Sequence, residues 1–250
     1  MTGRRLALVA VAAAAVALVG SALASHSWGS YHWARTSNPF TLKVGDNVDS
    51  RWDAYLDQAI SDWSASGVLD LTKVAGGTRP KNCRPTQGRI EVCNARYGNT
   101  GWLGLAQIWA SGSHITQAVA KMNDTYFETS TYNTVGWRSL VMCQEVGHDF
   151  GLGHQDENFD NTPITPHTCM DYHVPGKTEL EHPNQHDYDQ LATIYGHLDS
   201  STTVASAAAS LPGNAPPFSQ ASRANGSLYV DDLGSGGRLI TYVFWTPSGE

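Results

Sequence analysis

The stretch from 134 to 154 leaves the chain least freedom. It reads as a helix over 134–152, with Trp137, Leu140 and Val141 on one apolar face. Residues four apart on a helix project together, so Gln144 and His148 point inward with that face, and Glu145 lies one step round. Gly151 stands three residues past His148, where a left-handed residue ends a helix. A chain that turns there can aim His154 at the point shared by Gln144 and His148.

Two ligands from a helix and one from beyond a turn make a three-ligand site with an open fourth position. That is the form zinc takes in catalytic sites, as opposed to the closed structural form. The open position holds water, whose pKa the metal lowers towards neutrality. Glu145 is placed to accept that proton and later pass it to a leaving group. A lone histidine would by default be a satisfied core residue; here spacing, glycine and carboxylate agree.

The rest of the chain supplies a scaffold. Residues 25–40 read as an irregular aromatic arm, 41–44 as a short strand, and 45–47 as a turn. Ser50 with Asp53 resembles a capping box opening a helix whose buried face carries Trp52, Leu56, Ala59 or Ile60, and Trp63. Strands follow at 69–74, around Ile90 and Val92 (alternating, hence half-buried), at 102–109 and at 115–122. A last helix runs over 184–195, capped by Asn184, with Tyr188, Leu191 and Tyr195 inward and Gly196 ending it. The expected class is α+β, a twisted mixed sheet of four to five strands with the helix of the first paragraph and a C-terminal helix. Residues 199–226, rich in Ser, Ala and Pro, read as a linker, and 227–250 as a β-hairpin turning at 234–237.

Residues 1–24 read as a cleaved export signal: Arg4 and Arg5, an apolar run over 6–19, and Ala22-Leu23-Ala24 at the cleavage site. The run is short for a membrane span, and a retained anchor is the alternative. Signal removal takes away two arginines and no acid, moving the formal net charge from −7 to −9. An acidic chain without a basic run disfavours nucleic acid or anionic membrane as partner. The four cysteines, 83, 93, 143 and 169, allow three pairings, and export favours disulfides over thiols. Cys83–Cys93, closing a Pro- and Gly-containing loop, and Cys143–Cys169 are preferred.

Glu145, His148, Gly151 and His154 match, in register, the metzincin consensus H-E-x-x-H-x-x-G-x-x-H, and the segment resembles that family of zinc metalloproteases. Thr168-Cys169-Met170-Asp171-Tyr172 looks like the family's Met-turn, sixteen residues on from His154. Met-x-Tyr is the astacin and serralysin form, and Tyr172 matches the tyrosine that can assist at the metal. The order of elements resembles a matrixin-like catalytic domain over 41–198, although only 144–172 is motif-specific. The resemblance implies a secreted, monomeric zinc endopeptidase acting on a peptide or protein substrate. Gln144, His148 and His154 would hold the metal, Glu145 would be general base and Tyr172 would assist. It also implies that the strand around 104–109 borders the cleft and pairs with substrate backbone. A Cys143–Cys169 bridge would then tie the Met-turn to the active-site helix, worth roughly 3 kcal/mol by loop closure.

The chain departs from the consensus at Gln144, where the family has His. Three readings follow. The Gln144 amide oxygen ligates as a weaker neutral donor; His114, His167 or His173 completes the site instead; or the domain is a catalytically inactive binding or structural protein in protease form. Among the other groups, His26, His32, His182, His186 and His197 read as solvent-facing or capping. Asp156, Glu157 and Asp160 read as a solvated acidic loop rather than a calcium site. Trp102 and Trp109 suit a core as well as a cleft.

Overall fold

The computed structural model describes residues 26–160 apart from 28, then 167–205 and 226–247. The export signal expected over 1–24, most of the 199–226 linker and residues 161–166 of the loop before the last helix lie outside the described residues. The elements in order are β1 (His32–Trp33), β2 (Phe40–Asn47), α1 (Asp53–Trp63), β3 (Leu69–Ala75), β4 (Ile90–Ala95) and β5 (Trp102–Ser111). They continue with β6 (His114–Asn123), α2 (Asp124–Phe127), α3 (Val135–His148), α4 (Gln185–Ile194), β7 (Leu228–Gly234) and β8 (Gly237–Trp245). No helix among the described residues is long and apolar enough to cross a membrane.

The class is α+β as expected, but the sheet is larger than the sequence suggested. Eight strands form one sheet in the order β3-β2-β4-β6-β5-β8-β7, with β1 pairing β6. β2, β3, β4 and β6 run parallel, and β5 turns back antiparallel between β6 and β8. The additions come from the N-terminal arm, expected to be irregular, which contributes β1, and from the C-terminal hairpin, whose packing the sequence left open, which contributes β7 and β8. A two-stranded hairpin is marginal alone, and β5 would otherwise present a long unpaired edge. Pairing from Trp102 with Trp245 to Ser111 with Gly237 satisfies both.

The local signals hold with three corrections. Trp52, Leu56, Ala59 and Trp63 are buried between α1 and the sheet, where each large apolar side chain contributes about 1.5–3 kcal/mol. The Ser50 capping box does not form. Asp49 instead accepts the Arg51 backbone N–H, and α1 starts at Asp53 without a side-chain cap. Strand β4 is not half-buried, because it runs between β2 and β6 and its outer face is covered too. Glu91 is therefore enclosed, and its carboxylate is satisfied by Arg89, Asn47 and the Gly77 N–H. Residues 45–47, expected as a turn, are the end of β2. Helix α4 carries the full capping box, Asn184 with Asp187, and both preferred disulfides, Cys83–Cys93 and Cys143–Cys169, are formed.

Candidate metal centre

Helix α3 begins where the Thr134 hydroxyl accepts the Trp137 N–H and packs between α1 and the sheet with all of residues 136–148 buried. Trp63 donates its indole N–H to the Cys143 carbonyl, 3.0 Å away, fixing the helix against α1. The helix stops because Gly151 adopts φ +96°, a left-handed conformation, with its N–H on the His148 carbonyl at 2.9 Å. A Cβ at Gly151 would also lie 2.2 Å from the Tyr31 carbonyl, so no other residue fits. Beyond the bend the chain runs beside the turn at 168–172, joined by Gln155 N–H to Met170 O and Tyr172 N–H to Asp156 O.

This path brings His154 to His148, with Nε2 facing Nε2 at 3.0 Å. His148 Nδ1 sits 2.9 Å from the Leu152 carbonyl and His154 Nδ1 2.8 Å from the Glu157 carboxylate. Both acceptors require N–H at Nδ1, which leaves the two Nε2 lone pairs aimed at each other. Such an arrangement is repulsive unless a proton or a cation stands between them. Burial holds His148 well below the usual histidine range, and the neighbouring His154 ring adds to the effect. It is therefore neutral, as a metal ligand must be.

Gln144 is fully buried one turn earlier on the same face. Its Nε2 donates to the Cys169 carbonyl at 2.8 Å and approaches the Asp171 carbonyl at 3.4 Å. That fixes which end of the amide is oxygen, and Oε1 is left buried with no partner. A buried acceptor without a donor is costly, and a cation would satisfy it. Two neutral imidazoles and one orphaned amide oxygen fit a zinc ion.

Glu145 is also fully buried, with both carboxyl oxygens unpartnered. Gly104 on β5 makes room for it: a Cβ there would meet Glu145 Oε1 at 2.3 Å. Burial, then the neighbouring charge of Asp149, raises the Glu145 pKa well above the ordinary carboxylate range. Met170 lies directly beneath α3, its sulfur 2.8 Å from where a Cβ on Gly147 would stand. The Tyr172 ring lies 4.9 Å from that of His154, and its hydroxyl donates to the Val243 carbonyl on β8.

The remaining candidates lie elsewhere. His114 lies 3.3 Å from Asp199, and His173 lies 3.0 Å from Glu181 with His167 beside it. His26 and His32, expected to face solvent, are buried. Burial lowers His26 to a pKa of about 4. Trp102 and Trp109 are core residues. The β5 edge, expected to be free for substrate, is occupied by β8.

Sequence reasoning missed four residues around this site. Glu157 orients His154; its spacing of three was visible, but the acidic run around it read as solvated. Asp149 is fully buried with no partner for its carboxyl, and burial raises its pKa far above normal. Tyr242 stacks on His148 at 4.1 Å, nearly parallel, and Ser227 bonds His154 and Glu157. Both come from the C-terminal segment, which no local pattern connects to α3. A cleft of about 190 Å³ between Glu157, Leu228 and Tyr242 opens onto His154.

No sequence-family description matches the chain, and no curated protein matches it. Among solved structures, the chain is similar to high choriolytic enzyme 1, a hatching-enzyme zinc protease of the medaka fish Oryzias latipes. The TM-score is 0.37 and the identity 12%, over 68% of this chain and 96% of that one, a likeness too distant to assign fold family or activity.

Proposed function

We propose that the chain is a zinc-dependent hydrolase of the metzincin kind, acting on peptide bonds, exported to an oxidising compartment. One observation carries the reading: His148 and His154 face each other through two lone pairs, and the same helix holds an orphaned Gln144 oxygen one turn before His148 and, at the next residue, an unpartnered Glu145 carboxyl. Gln144 Oε1, His148 Nε2 and His154 Nε2 are the atoms that would hold zinc. Bound zinc supplies Lewis acidity to the reaction. Glu145 accepts the proton of the attacking water at its carboxylate and returns it to the leaving amine. Burial alone raises the pKa of that carboxyl, and a divalent charge nearby would oppose the shift. Glu157 fixes the tautomer of His154, and the Leu152 carbonyl that of His148. Met170 and the Cys143–Cys169 bridge serve as the Met-turn that supports the helix. Two disulfides support an oxidising compartment.

Peptide as substrate is supported by β8 itself. It lies antiparallel along β5 with Phe244 opposite Gly104, the residue against Glu145, in the way an extended peptide augments a sheet edge. With β8 in place Glu145 and His148 have no exposed surface. Substrate therefore enters when the hairpin leaves that edge. The same enclosure favours a second reading, a protein that holds zinc without turning over substrate.

Zinc analysis and hydrolysis of an unfolded protein substrate separate the two. The enzyme reading expects turnover that depends on zinc and vanishes in Glu145→Gln while the metal stays bound. Zinc without turnover, including in a variant whose hairpin is loosened by Tyr242→Ala, selects the second reading. Metal content unaffected by His148→Ala overturns both.

A further inference from the structure

A second group of metal-ligating side chains lies where the N-terminal arm meets the sheet and the chain leaving α4. His32 is on β1, His114 opens β6, and His197 and Asp199 follow α4. Around Asp199 Oδ1 the Nε2 atoms lie at 3.4 Å for His32, 3.3 Å for His114 and 3.7 Å for His197. His32 Nε2 and His197 Nε2 face each other at 3.2 Å. Of these, the His32, His197 and Asp199 donor atoms all lie within 4.8 Å of one another, spacings of the size a tetrahedral shell needs. Ligand atoms held about 2.0–2.1 Å from zinc stand about 3.3–3.4 Å from one another.

The group is oriented from behind. His32 Nδ1 donates to the Ser30 carbonyl at 2.7 Å, which puts its lone pair on Nε2. Arg35 takes the other Asp199 oxygen with its side chain at 2.9 Å and its backbone N–H at 3.1 Å, leaving Oδ1 for the histidines. Arg35 in turn donates to the carbonyls of Tyr195 and His197, and Asp199 N–H returns to Arg35 O at 2.9 Å. Chain segments more than eighty residues apart are thus locked before any ion arrives.

We infer that His32, His114, His197 and Asp199 form a second zinc site, separate from the one on α3, that fastens the N-terminal arm and the end of α4 to the sheet. The site has three donors within reach of one ion, and His114, 3.3 Å from the same Asp199 oxygen, is the fourth protein donor that would close the set as in structural zinc. It carries no carboxyl placed as a base: Asp199 is itself a ligand, neutralised from behind by Arg35. A metal there fixes β1 and the residues around Tyr31, whose carbonyl abuts Gly151 at the bend of the first site.

Metal counting tests this. The purified chain is stripped with chelator, titrated with Zn²⁺ alone and analysed for bound zinc, with Co²⁺ absorption reporting tetrahedral geometry. His114 and His197 are partly exposed, so His114→Gln with His197→Gln leaves the fold intact, which circular dichroism checks; His197→Gln alone is the milder second variant. The expected result is two zinc ions for the parent, one for the double variant and one for His148→Ala. His197→Gln is expected to weaken one site about a hundredfold, the loss of roughly one ligand's share of a structural zinc affinity. Equal zinc in the parent and the double variant overturns the proposal and leaves a hydrogen-bonded cluster only. One zinc in the parent and none in the double variant upholds this site and removes the one on α3.

Discussion

The two histidine groups share a local geometry and differ in what surrounds it. On α3, Nε2 faces Nε2 at 3.0 Å, and in the outer group at 3.2 Å, each with a ring Nδ1 held by a carbonyl. The inner pair is enclosed, and the same helix end carries two buried carboxyls, Glu145 and Asp149, that have no partner. The outer group has its one carboxylate among the donors and an arginine behind it. Of the two groups, the inner one leaves buried carboxyls unsatisfied, and such groups are where a protein stores the means for chemistry. In the outer one the carboxylate is held by Arg35 and by the histidines around it, which suits a fastening.

The largest test of that contrast is Glu145→Gln. It is expected to lower kcat/KM on a peptide substrate by about a thousandfold, within the range for loss of a general base, with zinc content unchanged. No comparable loss is expected in His197→Gln, and steady-state kinetics on both variants reads the difference. Chelator stripping comes next. His197 and His114 are partly exposed while Gln144 and His148 are enclosed, so the outer ion should leave at least about tenfold faster, followed by stopped-flow release into a zinc dye. A single release phase in a two-zinc protein would erase the distinction between the sites.

Gln144→His should tighten the inner site by about ten- to a hundredfold, because imidazole is the better donor for zinc, with the outer affinity untouched in competition titrations. The smallest effect is on stability. In the metal-free chain the folded Glu145 pKa lies above its unfolded value near 4.3. The folded state then holds a proton that the unfolded state has released, so stability falls as pH rises above about 4 towards the folded pKa. Glu145→Gln removes that part of the slope. At neutral pH it should raise Tm by about 2–4 °C, the equivalent of about 1 kcal/mol in a domain of this size. A Tm that drops in this variant means the carboxylate is ionised and held by something else.

What the sequence disclosed was what depends on neighbours in the chain. The i, i+4 placement of Gln144 and His148, the glycine bend, the Asn184 cap and the inward faces of α1 and α4 all follow from local spacing, and the structure keeps them. The distant partners were silent. His32 read as solvent-facing because its company, Asp199 and His114, is assembled by tertiary folding. The pairing of β8 with β5 could not be read either, since an alternating run near the C-terminus fits many sheet edges equally well. The Gly104 contact with Glu145 was invisible for the same reason. A glycine in a strand signals a close approach but does not say to what.

One consequence follows from the position of β8 in the chain. Leu105 waits for Val243, and His148 for Tyr242, so the chamber over Glu145 has no roof while synthesis has yet to reach those residues. Everything needed to bind the inner ion, from 144 to 172, is made before the roof. On the proposed function, a polypeptide emerging in order would therefore load its metal through an open door, and the last hairpin would shut it inside.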